Sequence, residues 1–181
     1  MPVPEEVGFS LNDGSTILLR LAGCGDAEKI IEVIKTDAPD RSYVLMEHYG
    51  SKPDSIKSYI CGMDPERNLL LVAVSGGEVI GVLSGIQMDQ GRRPHTAHVM
   101  NIGLHIAPEH RGLGIGSKML DYAAAWAKEH DFEKLETDIF ITNKKSLHLF
   151  ERAGFIEEGT RQKRIRIGKQ YIDEVLLGKM L

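Results

Sequence analysis

Two apolar runs, residues 68–74 and 78–86, are separated only by Ser75-Gly76-Gly77. Glycines at that joint supply the positive φ angles a tight turn demands, so the segment predicts a β-hairpin in the middle of the chain. The flanking segments then read as further strands of one sheet or as helices packed on it. Residues 16–21 are β-branched and apolar enough for a strand. Asp26 stands where an N-cap would, ahead of Ile30, Ile31 and Ile34 on one helical face, and Pro39 closes that region. A short helix follows over 54–61, and after a polar loop with Arg92, Arg93 and Pro94 a strand runs over 97–106. Residues 115–130 give the strongest helical pattern, with Ile115, Met119, Tyr122, Ala123, Trp126 and Ala127 on one stripe and Lys118, Asp121 and Lys128 outside it. A strand over 135–141, a helix capped by Asn143 and stopped at Gly154, and a hairpin of 156–167 with 171–180 complete the order. The expected fold is α/β of the α+β type, a central, mostly antiparallel, twisted mixed sheet of about seven strands flanked by helices. It reads as a single domain over 1–181, with 1–7 a loose tail.

Composition removes several function classes. The longest fully apolar run, residues 69–74, is far shorter than the roughly 20 residues that span a bilayer, so no membrane role is expected. A formal net charge of -4 weakens a nucleic-acid reading. Arg161, Lys163, Arg164, Arg166 and Lys169 do gather around the last hairpin, where they would attract an anionic group or shield a strand edge from pairing. Cys24 and Cys61 form no C-x-x-C pair, and a reduced, cytoplasmic chain is a simpler reading than a disulfide between them. His95 and His98, three apart in what reads as a strand entry, point to opposite faces. With no H-E-x-x-H and no Cys/His cluster, no metal site is expected.

Between the third long strand and the strongest helix lies Arg111-Gly-Leu-Gly-Ile-Gly116. Glycine costs about 1 kcal/mol relative to alanine inside a helix, so three of them need a reason. One is anion capture: the first N–H groups of a helix are unpaired, its dipole favours negative charge, and glycine lets a ligand approach the backbone. The other is close packing of helix on sheet. A P-loop would require Lys after Gly116, where Ser117 stands, and a dinucleotide fingerprint would require G-x-G-x-x-G.

With Asn143, Ser146 and Leu149-Phe-Glu-Arg-Ala-Gly-Phe155 further on, the pattern resembles the GNAT N-acetyltransferase superfamily. Its phosphate loop, Arg or Gln followed at the third and fifth places by Gly and by Gly or Ala, is matched by Arg111, Gly114 and Gly116. The resemblance is specific over residues 101–155 and follows the element order over 16–181. It implies an acetyl-CoA-dependent enzyme that acetylates a primary amine, either a small molecule or a peptide. Leu104, His105 and Ile106 would offer backbone groups to the pantetheine arm. Arg111, Gly112, Leu113, Gly114, Ile115, Gly116 and Ser117 would hold the pyrophosphate. Asn143, Ser146 and Phe150, spaced to share one helical face, would meet the coenzyme.

Transfer from thioester to amine needs a neutral nitrogen, a stabilised carbonyl oxygen and two reactants held in line. A backbone N–H near Leu104 would serve the oxygen, with Gly103 a place for a bulge that opens the strand. The resemblance departs from its pattern in the proton handlers. Phe150 stands where many relatives carry a tyrosine acid, and Asn101 where many carry a glutamate base. The catalytic candidates are therefore Asn101 and His105, which share a strand face by parity. Tyr43, Glu47, His48 and Tyr49 are candidates for the acceptor side. A non-catalytic acyl-CoA sensor is the second reading, and a homodimer is the expected assembly.

Overall fold

The computed structural model describes residues 3–11, 14–36 and 53–181. Tyr43, Glu47, His48 and Tyr49 lie outside the described residues. Eight strands form one sheet: β1 (Glu6–Ser10), β2 (Thr16–Leu21), β3 (Asn68–Ser75), β4 (Glu78–Gln87), β5 (Val99–Ile106), β6 (Lys134–Phe140), β7 (Ile156–Ile167) and β8 (Gln170–Met180). Their order across the sheet is β1-β2-β3-β4-β5-β6-β8-β7. Every neighbouring pair is antiparallel except β5 with β6. Four helices are described: α1 (Ala27–Lys35), α2 (Pro53–Gly62), α3 (Ile115–Glu129) and α4 (Lys144–Arg152).

The hairpin that anchors the sequence reading is β3–β4, with Gly76 and Gly77 at φ +57° and +86°. Its strands are apolar along their length because both faces are covered, as a central strand requires. Leu69, Leu71 and Ala73 pack under α3, while Leu70 and Val72 pack under α1. On one face the stripe Ile115, Met119, Tyr122, Ala123, Trp126 and Ala127 is buried, together with Phe150 of α4 and Phe155. On the other, Ile30, Ile31 and Ile34 of α1 and Ile60 of α2 are buried. Each large side chain removed from water in this way contributes about 1.5–3 kcal/mol.

Several expectations need correction. The sheet has eight strands, because residues 6 and 7, read as tail, begin β1 and pair with Arg20 and Leu19. Val3 donates its N–H to Glu129 at 2.7 Å, and Pro4 accepts from the Tyr122 hydroxyl at 3.0 Å. Cys24 and Cys61 are joined as a disulfide, their Cα atoms 5.2 Å apart, because α2 packs beside the turn that opens α1. Asp26 does stand at the N-cap of α1, but its carboxylate turns back to the Gly23 N–H and to Arg20. His95 sits in a turn of 3-10 helix, and β5 starts only at Val99. No described helix is long and apolar enough to cross a membrane.

Candidate functional site

β5 pairs with β4 from Met100 to Ile106 in an unbroken register. Its partnership with β6 lasts only three positions, Val99 with Lys134, Met100 with Leu135 and Asn101 with Glu136. Beyond them β6 stays with β8 as far as Phe140, opposite Glu174, while β5 stays with β4. The sheet therefore splits, and from Ile102 to Ile106 strand β5 is in a ladder along one edge only. No bulge is involved: Gly103 sits in register opposite Ser84, so the opening comes from the divergence of β6 and not from that glycine.

The split leads straight into the glycine segment. After Ile106 a short 3-10 turn, Pro108–His110, brings Arg111 back so that its Nε donates to the Ile106 carbonyl at 2.8 Å. Gly112 and Gly114 hold φ of +80° and +90°, a region costly for a residue with a side chain, and a Cβ on either would meet nothing within 4 Å. Gly114 is the N-cap of α3, and the Lys118 N–H to its carbonyl, 3.2 Å, is the first bond of that helix. The N–H groups of Ile115, Gly116 and Ser117 thus precede the helical ladder. Gly116 differs: a Cβ there would stand 2.9 Å from Leu149 Cδ2 and 3.3 Å from Ile106 Cδ1. The glycines divide by position. Open left-handed backbone accounts for Gly112 and Gly114, and close packing for Gly116.

The other predicted residues fall into two groups. Leu104 and Ile106 are half-buried against the core under α3, with Leu113 and Leu149. Asn143 Oδ1 accepts the Ser146 N–H at 3.2 Å, so Asn143 is the cap of α4 and Ser146 lies in its first turn. Phe150 is 2% exposed, its ring edge-on to Phe155 at 5.0 Å, and belongs to the core. By strand alternation Asn101 and His105 face the opposite side, toward the layer of α1 and α2; both are half-buried.

On that same face the structure brings in groups that were not singled out in the sequence. Glu136 is opposite Asn101 and accepts from Lys134 Nζ at 2.8 Å. Two residues along β6, Asp138 lies 3.5 Å from Arg161, which is itself hydrogen-bonded at 2.9 Å to the buried carboxylate of Glu174. Burial, with the nearby Glu174 charge, holds the Asp138 carboxyl above the ordinary aspartate range. The signal was available: in Lys-Leu-Glu-Thr-Asp-Ile-Phe the acidic residues fall two apart on one strand face. Also on this side, Tyr59, Met63, Asp64, Arg67, Ile86 and Gln87 border a cavity of about 370 Å³.

The sequence pattern of the acetyltransferase (GNAT) family matches residues 30–155. The chain belongs to the GNAT acetyltransferase family. This GNAT chain is 35% identical over 164 residues to a spermidine N(1)-acetyltransferase of Vibrio cholerae, covering 88% of the chain and 90% of that relative. It is 25% identical over 114 residues to an L-amino acid N-acetyltransferase of Escherichia coli, covering 61% and 67%. Among solved structures, a phosphinothricin acetyltransferase of the GNAT superfamily from Sinorhizobium meliloti, in complex with acetyl-CoA, superimposes with a TM-score of 0.78 at 18% identity, over 96% of this chain and 89% of that one. The split sheet and the glycine-opened helix of this GNAT acetyltransferase are the two features on which a functional reading rests.

Proposed function

We propose that this GNAT protein transfers the acetyl group of acetyl-CoA to a primary amine by direct attack in a ternary complex. The observation that carries the proposal is the divergence of β5 from β6 after Asn101, running into unpaired amides at the start of α3. An extended arm laid along Leu104, His105 and Ile106 would continue the β-ladder. A diphosphate would take the amides of Gly112 to Ser117, with the dipole of α3 behind them. Arg111, anchored on Ile106, sets the path of this loop. Leu113 and Ile115 hold the loop to the core through their apolar side chains. Asn143 fixes the first turn of α4, Ser146 lies on the face toward the coenzyme, and Phe150 supports that helix from the core.

The reaction asks little covalent chemistry of the protein. Lining up amine and thioester supplies much of the acceleration, and an N–H near Leu104 would stabilise the carbonyl oxygen as it gains charge. His105 lies on the same face as Asn101 and carries ring nitrogens that can give or accept a hydrogen bond, and Asn101 orients the acceptor through its amide. The relatives' names, spermidine and L-amino acids, support a small amine as acceptor.

Isothermal calorimetry with acetyl-CoA tests the first half. Saturable binding is expected, and no heat at millimolar ligand overturns the proposal. Release of free thiol with spermidine and the common L-amino acids tests the second. Phe150 in the core and Asn101 in place of an acid favour a non-catalytic acyl-CoA sensor as the second reading. Binding without turnover of any amine would select it. A homodimer and a cytoplasmic setting belong to the same proposal. The first is tested by light scattering. The Cys24–Cys61 disulfide weighs against the second, and thiol trapping in intact cells decides it.

A further inference from the structure

An alkylammonium acceptor holds its proton at neutral pH, as lysine does with a pKa of about 10.4. A group at the site must take that proton, and Asn101 has no basic atom to do so. The phosphate-binding loop opens on the α3 face of the sheet, while Asn101 and His105 lie on the α1 face. Donor and acceptor would therefore meet in the split from opposite sides.

The residue of β6 that faces this meeting point is Asp138. Glu136 is the last residue of β6 paired with β5, and Asp138 stands on the same face two residues further on, about 7 Å into the opening. Its side chain remains 32% accessible, whereas that of Glu174 is 11% accessible and engaged by Arg161 at 2.9 Å. Glu136 is held by Lys134 at 2.8 Å. Glu158 on β7 is held by the same Lys134 at 2.8 Å; of these carboxylates Asp138, 3.5 Å from Arg161, combines a place beyond the last paired rung with access.

We infer that Asp138 is the catalytic base that takes the proton from the acceptor ammonium, an inference resting on the acetyl-transfer reading above. The proton passes from nitrogen to a carboxylate oxygen of Asp138. The freed lone pair attacks the thioester carbonyl carbon, a C–N bond forms and the C–S bond breaks. The nitrogen's second proton goes to the departing sulfur, and Asp138 returns its own to solvent. One ammonium and one acetyl thioester thus give one amide, one thiol and one proton. The raised carboxyl suits the task, since a stronger base accepts a proton more readily. Besides burial, the groups that act on it are Glu174 on β8 and Glu136 on its own strand, which raise it, and Arg161 and Arg164 on β7, which lower it; His105 lies on the same sheet face, on β5.

The test compares the wild type with Asp138→Asn and Asp138→Glu, using spermidine and the common L-amino acids as acceptors and acetyl-CoA calorimetry beside the kinetics. The expected result is a kcat lower by about 100-fold or more in Asp138→Asn, loss of the acidic limb of its pH–rate profile, an unchanged dissociation constant for acetyl-CoA, and partial rescue by Asp138→Glu. Glu174→Gln, which removes a neighbouring negative charge, moves the acidic limb of an otherwise active enzyme to lower pH. A kcat and pH profile in Asp138→Asn equal to the wild type overturn the assignment, as does an acidic limb that stays put in Glu174→Gln. Loss of acetyl-CoA binding together with activity in both Asp138 variants marks Asp138 as structural and also overturns it. A wild type that binds no acetyl-CoA overturns the acetyl-transfer reading itself, and one that binds but turns over no amine removes any base role with it.

Discussion

A Cβ at Gly114 would meet open space, whereas one at Gly116, a single turn-forming step away, would meet Leu149. The two glycines therefore separate binding from stability. Gly114→Val forces a β-branched residue into left-handed backbone and fills the space where a diphosphate would lie. It is expected to weaken acetyl-CoA binding at least about tenfold, at a strain cost of about 1–2 kcal/mol. Gly116→Val leaves the loop open but overpacks the contact of α3 with α4, at about 1–3 kcal/mol. Calorimetry and urea denaturation on both proteins would show the two effects dissociating. At the start of α1 the same scale gives a pH prediction. Its hydrogen bonds from Arg20 hold the Asp26 carboxyl below the ordinary range, with a further bond from the Gly23 N–H. A lowered carboxyl contributes stability that is complete above the unfolded-state value and is lost as pH falls through the folded one. Asp26→Asn should thus lower stability at neutral pH and flatten its decline in acid, as read by thermal melts across pH. The sequence made some of this legible. Asn143 was readable as a cap, and Asp26 as a boundary residue, because caps are local. Asp138 was readable only as an acid on a strand face, since its importance depends on which strand leaves β6 unpaired.

At the scale of elements, the order of strands and helices followed from local patterns, and the differences have physical causes. β1 was missed because Glu-Val-Gly-Phe-Ser is short, half-exposed and preceded by two prolines, so its pairing with β2 comes from tertiary contact. The split of β5 from β6 could not be read at all, because β6 is drawn away by β8, which arrives last in the chain. The disulfide was equally hidden: Cys24 and Cys61 are 37 residues apart, with no spacing motif to mark them. It ties the entry of α1 to the end of α2, on the face where an acceptor would dock. Closing a loop of that length is worth about 3–4 kcal/mol in the chain-entropy account. Reductant, or Cys61→Ser, is expected to lower the unfolding free energy by that order. A thiol assay of the folded protein without reductant should find no reactive cysteine.

The whole molecule consists of two half-sheets, β1 to β5 and β6-β8-β7, joined in the ladder by three parallel rungs and braced by the core under α3 and α4. A ligand that extends the β5 ladder and caps α3 acts on both halves together. Saturating acetyl-CoA should raise the melting temperature and slow hydrogen exchange at residues 102–106 more than at β2 or β3, whose amides are already in ladders on both edges. At a hundredfold excess over the dissociation constant, mass action alone supplies about 2.7 kcal/mol. The parting of the strands also bears on kinetics. Asn101 closes the paired part of β5 and β6, and Asp138 lies beyond it on the same face, so a coenzyme laid in the opening would set the width across which an amine must be gripped. Steady-state patterns are therefore expected to show compulsory order, thioester first and amine second, with desulfo-coenzyme competing against the former and trapping the latter.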